Sequence, residues 1–328
     1  MNGRVLNAVL FAVLLAGALA SLLAGRVWLP PNEVIEGLLS PDATLAGLIV
    51  GELRLPRLIL AVCVGASLGL SGAVLQGLLR NPLAEAGLLG VSTGAALGAV
   101  VAIYYGLTAS FALATPLLGL VGGFIAAALA FSLSRSGGTL ALILAGAAVS
   151  SVAAAGLALA LNLAPNPYAA FEITTWLLGS LADRTWDHVW LGVPFMLAGC
   201  GLLFLTAPSL DALALGEAQA ESLGVNLKRV RLMALAGTAL AVGAATAVTG
   251  AVGFVGLVAP HLVRPFVGYR PGRVLPPSAL LGAVLLLAAD VGSRLVSYNT
   301  EIKLGVITSI IGAPFFLWLV LSMRKRAP

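Results

Sequence analysis

The chain has 328 residues, 60% of them hydrophobic and only 9% charged, and glycine contributes 39 residues. A mean hydropathy of +1.05 leaves too little polar surface to solvate a water-soluble globule of this size, which argues against a soluble enzyme or a disordered chain and for an integral membrane protein. The net charge of +5 sits in short basic clusters between long uncharged stretches, an arrangement that flanks membrane spans rather than one that grips nucleic acid.

A charge at mid-bilayer is costly, so uncharged intervals long enough for the roughly 20 residues that cross the hydrocarbon mark the spans. Arg4 to Arg26 encloses 21 residues and Arg57 to Arg80 encloses 22, which gives spans one and two. Ala18-Leu19-Ala20 is a passable signal-peptidase site, but the 21-residue run is long for a signal sequence and is read as a retained span. The 49 residues from Glu85 to Arg135 exceed one helix and break at Tyr105-Gly106-Leu107-Thr108 and at Thr115-Pro116, giving spans three and four. Span five and a turn at Pro165-Asn166-Pro167 fill the 36 residues between Arg135 and Glu172, and span six fills the 23 from Asp187 to Asp211. The last span occupies the 20 residues between Lys303 and Arg324, and the one before it runs from Arg273 past Asp290 to Val296.

The 32 residues from Arg231 to Arg264 hold either one long tilted helix or two. Charge balance decides between them. Two helices give ten spans with both ends cytoplasmic, twelve basic residues inside and six outside; one helix gives eight inside and ten outside. The excess of Lys and Arg on cytoplasmic loops favours ten.

Inside the spans, stretches such as Gly65-Ala66-Ser67-Leu68-Gly69-Leu70-Ser71-Gly72-Ala73 and Gly90 to Gly98 are rich in small residues, which let helix backbones approach closely where lipid supplies no hydrophobic drive between helices. Only Asp290 sits clearly within a span, and Arg294, four residues on, lies on the same helix face as its ion-pair partner. No relay of carboxylates or histidines crosses the membrane, which disfavours the rival reading, an ion-coupled secondary transporter. A nucleotide site is missing too. The three lysines, Lys228, Lys303 and Lys325, follow Leu227, Ile302 and Arg324, so no Gly-Lys pair exists to begin a P-loop. The chain is read as a transport component, not an enzyme, and any ATPase must be a separate polypeptide. Cys63 and Cys200 fall in different spans as packing groups. His188 and His261 lie at opposite faces and make no pair for a haem iron, so no metal or cofactor is assigned to this chain.

The loop between spans six and seven, residues 208–228, carries Asp211, Glu217 and Glu221, then Lys228, Arg229 and Arg231. Ser209 can cap a first short helix, Gly216 breaks the chain, and a second helix from Glu217 to Leu223 ends on Gly224. Ala220, Leu223 and Leu227 are expected to share one face. Two short helices on the inner surface can push against a soluble partner; a simple interfacial turn is the plainer alternative.

Several segments, taken in order, carry a resemblance: Arg54-Leu55-Pro56-Arg57, Ser71 to Gly77, Arg80-Asn81-Pro82-Leu83-Ala84-Glu85, Gly87 to Val91, Leu213 to Glu217, Gly253 to His261, Gly305 to Thr308 and Gly312 to Trp318. Together they resemble the FecCD family of ABC-importer permeases, which move iron–siderophore, haem or cobalamin. The resemblance implies an all-α permease of ten transmembrane helices with the type II importer fold, forming one domain over residues 1–328. It also implies a homodimer in the lipid of the bacterial inner membrane, two ATPase subunits below that hold ATP and magnesium, and a periplasmic substrate-binding protein above. No nucleic acid is expected.

By the same resemblance, Asp211, Gly216, Glu217, Ala220, Glu221, Leu223 and Gly224 couple to the ATPase, and Arg54, Arg57 and Arg294 dock the binding protein. Asn81, Leu83, Thr139 and Leu140 close the inner end of a pathway lined by spans five and ten, with Gly137-Gly138 as a hinge. Leu140 stands where cobalamin permeases carry a small hydroxyl residue, which makes this gate more apolar. The resulting expectation is the membrane subunit of an ATP-driven importer for a bulky metal chelate, iron–siderophore first and haem or cobalamin next, working by alternating access.

Overall fold

The computed structural model describes residues 3–25, 27–40, 44–134, 138–296 and 301–324. Arg26, Arg135, Lys325 and Arg326 of the charge count, and Gly137 of the expected hinge, lie outside the described residues. Every regular element among them is helical. Long uncharged runs of Leu, Ala, Val and Gly require this, because in hydrocarbon each backbone group must find its partner within the segment.

The apolar helices are α1 (Gly3–Leu23), α2 (Leu55–Leu78), α3 (Val91–Tyr104), α4 (Ala114–Leu133), α5 (Thr139–Asn162), α6 (Trp186–Leu205), α7 (Leu227–Thr249), α8 (Val255–Val263), α9 (Pro271–Val296) and α10 (Leu304–Arg324). Eight regions among the described residues are long and apolar enough to cross a membrane, with α2 extended back to Leu45 through a π-helical turn at Ile49–Arg54. The other two, α3 and α8, are shorter. Two further helices, Pro31–Leu39 and Pro167–Leu177, escape a reading based on charge-free gaps because they contain Glu33, Glu36 and Glu172. Asn166 caps the second of them by accepting a hydrogen bond from the Ala169 N–H at 2.8 Å.

Both short helices follow irregular chain. After α2 the backbone turns at Arg80, in the left-handed region with φ 49°, and passes through a 3-10 turn at Ala86–Leu89. Ser150 of α5 donates to the Gly87 carbonyl at 3.1 Å, and Gly146 lies against the Leu88 backbone. Those contacts lie roughly 10–16 Å along α5 at 1.5 Å per residue, so the segment before α3 covers part of the depth without being helical. Such backbone is tolerated where protein buries it. The break before α8 is similar. Gly250 (φ 76°) tucks beneath the Trp176 carbonyl, and Phe254 (φ 67°) sets its side chain against Gly312 of α10.

The centre of the bundle is formed by α2 and α7, each with 78% of its most apolar window buried, against 17% for α1 and 22% for α5 and α10. Small residues sit at the tightest crossings, as the sequence predicts. Gly65 and Gly69 of α2 lie on Gly282 and Ser278 of α9, Gly72 meets Gly256 of α8, and Gly94 and Gly98 of α3 meet the stretch from Leu118 to Gly122 of α4. At each of these a Cβ would run into the neighbouring backbone. The largest hydrophobic cluster draws buried side chains from Leu6 through to Leu304.

Candidate functional site

The expected coupling residues lie on or beside two short helices, Ala207–Leu213 and Glu217–Ser222. The first begins earlier than a Ser209 cap predicts, because Pro208 favours the first helical turn. Gly216 separates the two at φ 115°, and Gly224 ends the second at φ 85°. Asp211 is fixed at the base of α9: its Oδ1 accepts from the Gly272 N–H at 2.8 Å and its Oδ2 from Arg270 Nε at 2.7 Å. Ala220 is fully buried and Leu227 nearly so, whereas Leu223 is 65% exposed. This corrects the shared-face expectation. The helix stops at Ser222 and the chain turns toward Gly224, which swings Leu223 outward. Glu221, Leu223 and Gly224 form the outward-facing part.

Glu217 connects this loop to Thr139, one of the expected gate residues. Its Oε1 accepts a hydrogen bond from Thr139 Oγ1 at 2.7 Å and pairs with Arg231 Nη2 at 2.9 Å. The Thr139 hydrogen bond, with Arg231 and the charge of nearby Arg80 behind it, holds the Glu217 carboxyl below the usual carboxylate range against the opposing effect of partial burial. Thr139 is the first residue of α5, and Arg80 precedes the other expected gate residue, Asn81. The carboxylate thus bonds to the start of α5 and feels the charge of the turn that precedes Asn81. Asn81 Oδ1 accepts from the Leu83 N–H at 2.9 Å, and the Asn81 carbonyl accepts from the Ala84 N–H at 3.1 Å, so this loop is braced by its own turn. Leu140 is 69% exposed.

At the opposite end the three expected docking arginines point inward. The Arg54 guanidinium is buried and donates to the Leu22 carbonyl and, at 2.5 Å, to the Val27 carbonyl. Arg57 pairs with Asp290 at 2.8 Å and with Glu301. Arg294 pairs with the second Asp290 oxygen at 2.5 Å and donates to Ser21 Oγ at 2.6 Å and to the Ser21 and Ala24 carbonyls at 3.1 Å. The Asp290–Arg294 pair matches the sequence expectation. Burial raises the Glu301 carboxyl, but the Arg57 hydrogen bond and charge, with Ser293 and Arg294, bring it below the usual range.

Sequence reasoning missed Glu301 and the Arg57–Asp290 pair, which joins residues 233 positions apart; no local spacing signals it. It also missed Gln76, which accepts from Arg264 at 2.6 Å and donates to the Gly256 carbonyl at 3.3 Å, bridging α2 and α8. His188 is bound up in the cap of α6 with Thr185, and His261 meets the Phe315 ring edge-on at 5.7 Å between centroids. No group of three or more His, Cys, Asp or Glu side chains suited to a metal occurs among the described residues.

Comparison with known proteins agrees with this architecture. Residues 13–322 match the model of the FecCD transport family. The hemin transport system permease protein HmuU of Yersinia pestis is 40% identical over 280 residues, covering 84% of each chain. The vitamin B12 import system permease protein BtuC of Klebsiella pneumoniae is 35% identical over 316 residues, covering 96% of this chain and 92% of its own. A solved structure described as an inward-facing ABC transporter of the metal-chelate type superposes with a TM-score of 0.87 at 33% identity, over 97% of this chain and 99% of that one. An all-helical bundle with multiple membrane-crossing helices, matched to this family over nearly its whole length, makes the protein a multi-pass membrane permease that belongs to the FecCD transport family.

Proposed function

We propose that the protein is the permease subunit of an ATP-driven importer that carries a bulky metal chelate to the cytoplasm, with an iron chelate as the first candidate cargo. The hydrogen bond between Glu217 and Thr139 carries this reading, because it sets the loop that meets an ATPase directly against the opening turn of α5. A displacement of the loop is passed to the gate through one short contact rather than through a chain of packed side chains. The names of the relatives, a hemin and a vitamin B12 permease, support a large chelated metal as cargo.

In this reading α3 and α8 cross together with their irregular flanks, giving ten crossings with both termini cytoplasmic. Two copies form the transporter, with α5 and α10, which are the least covered of the eight long apolar helices among the described residues apart from α1, lining the pathway between them. ATP and magnesium belong to the partner ATPase. Docking of a periplasmic binding protein on Arg57 and Arg294 requires an exchange of partners: an incoming carboxylate replaces Glu301, the more exposed of the two acids on Arg57. Arg54, with its guanidinium held by backbone carbonyls, anchors the end of α1 in this scheme.

The test is uptake of radiolabelled ferric chelate, haem and cobalamin into vesicles holding the permease with its co-encoded ATPase and binding protein. Uptake that needs ATP, stops with vanadate and requires both partners supports the reading. Accumulation driven by an ion gradient without ATP would overturn it.

A further inference from the structure

A cavity of about 610 Å³ lies at the same end of the bundle as the Asp211 loop, between the first turn of α1, the turn at Phe266–Gly268 and the start of α9. Arg4 and Arg273 both line it, both are solvent-exposed, and neither makes an ion pair among the described residues. Asp211, which bonds to Gly272 at the cavity wall, is already committed to Arg270 and the Gly272 N–H and makes no ion pair with Arg4 or Arg273. Two helices, α1 and α9, begin beside this cavity, so the positive ends of their dipoles lie next to it. Asn7 also lines the cavity, and its Oδ1 is buried without a hydrogen-bond partner.

The geometry points to a binding site for the phosphate headgroup of an anionic phospholipid of the cytoplasmic leaflet, phosphatidylglycerol being the simplest such lipid. The two guanidinium groups and the helix ends attract the phosphate, and a glycerol hydroxyl can donate to Asn7 Oδ1. A lipid suits the site better than free phosphate because Phe11 and Leu15, one and two turns beyond Asn7 on the same face of α1, are each about half exposed, a surface along which acyl chains can lie. The inference rests on the proposed orientation only in naming the leaflet; headgroup binding itself is independent of transport.

Native mass spectrometry of the full-length permease with its ATPase, released from nanodiscs of mixed phosphatidylglycerol and phosphatidylcholine, tests the site. The wild type should retain one more phosphatidylglycerol per permease chain than the Arg4→Gln/Arg273→Gln variant, with affinity lowered about fivefold per arginine removed. Arg229→Gln, on an exposed surface position outside the cavity, should retain the lipid as the wild type does. The single variants Arg4→Gln and Arg273→Gln give intermediate retention and serve if the double variant does not fold. Equal retention in the variants, or phosphatidylcholine held as firmly, overturns the site. Displacement of the lipid by millimolar inorganic phosphate would assign the cavity to a free anion and overturn the lipid reading.

Discussion

The two ends of this bundle both bring arginines to carboxylates, yet they do so in opposite environments. At one end Asp290 is fully buried and its partners Arg57 and Arg294 are 12% and 7% exposed. At the other end the Glu217 side chain is 40% exposed and Arg270, the partner of Asp211, is 56% exposed. Breaking a buried pair strands an uncompensated charge and costs several kcal/mol, whereas an exposed pair contributes about 1 kcal/mol or less. The Asp290 network therefore behaves as a fixed joint between α1, α2, α9 and Glu301. The contacts of Glu217 and Asp211 exchange partners cheaply, as the proposed coupling loop requires.

Substitutions can break this contrast. The largest effect is expected for Asp290→Ala, which removes the ion-pair partner of the buried Arg294 and leaves Arg57 with Glu301 alone; thermal unfolding in detergent should show destabilisation of about 3–5 kcal/mol. Gly65→Val comes next, since its side chain meets the Gly282 and Ala283 backbone of α9, and about 1–3 kcal/mol of overpacking should register in the same assay. Gly201→Val, with nothing near its would-be Cβ, should stay within about 0.5 kcal/mol of wild type.

At the Glu217 end the effect moves from stability to function. Glu217→Arg should leave the melting curve within about 1 kcal/mol of wild type while ATP hydrolysis continues without uptake. Because the folded Glu217 carboxyl titrates below its ordinary value, its contribution is fully present above the unfolded pKa and disappears as pH falls through the folded one. Coupling ratios measured across acidic pH should thus fall only below the usual carboxylate range, and Glu217→Gln should flatten that dependence. The smallest change is expected for Arg270→Gln, since Asp211 keeps the Gly272 N–H.

Much of this arrangement is legible in the linear chain. Charge-free intervals place the apolar helices, and the i,i+4 spacing of Asp290 and Arg294 gives their pair. Gly216 and Gly224 mark the breaks in the loop. The sequence is silent where the determinant is tertiary. Arg57 finds Asp290 only because α2 and α9 cross at Gly65 and Gly282, and Thr139 finds Glu217 only because the loop folds under α5. Periodicity misleads at Leu223, since a helix of six residues ends before its spacing rule applies. Charge balance anticipates a second helix between Arg231 and Arg264, but not where it begins: Phe254 adopts a left-handed backbone that its residue type disfavours, held in place by its fit against Gly312.

The central claim is that the loop drives the gate through the Thr139–Glu217 contact, and a double-mutant cycle tests it most directly. Uptake per ATP hydrolysed would be measured in proteoliposomes for wild type, Thr139→Val, Glu217→Gln and the double variant. The account predicts that either single change lowers the ratio and that the double change lowers it no further. Losses that simply multiply, or a ratio unchanged in both single variants, would contradict it.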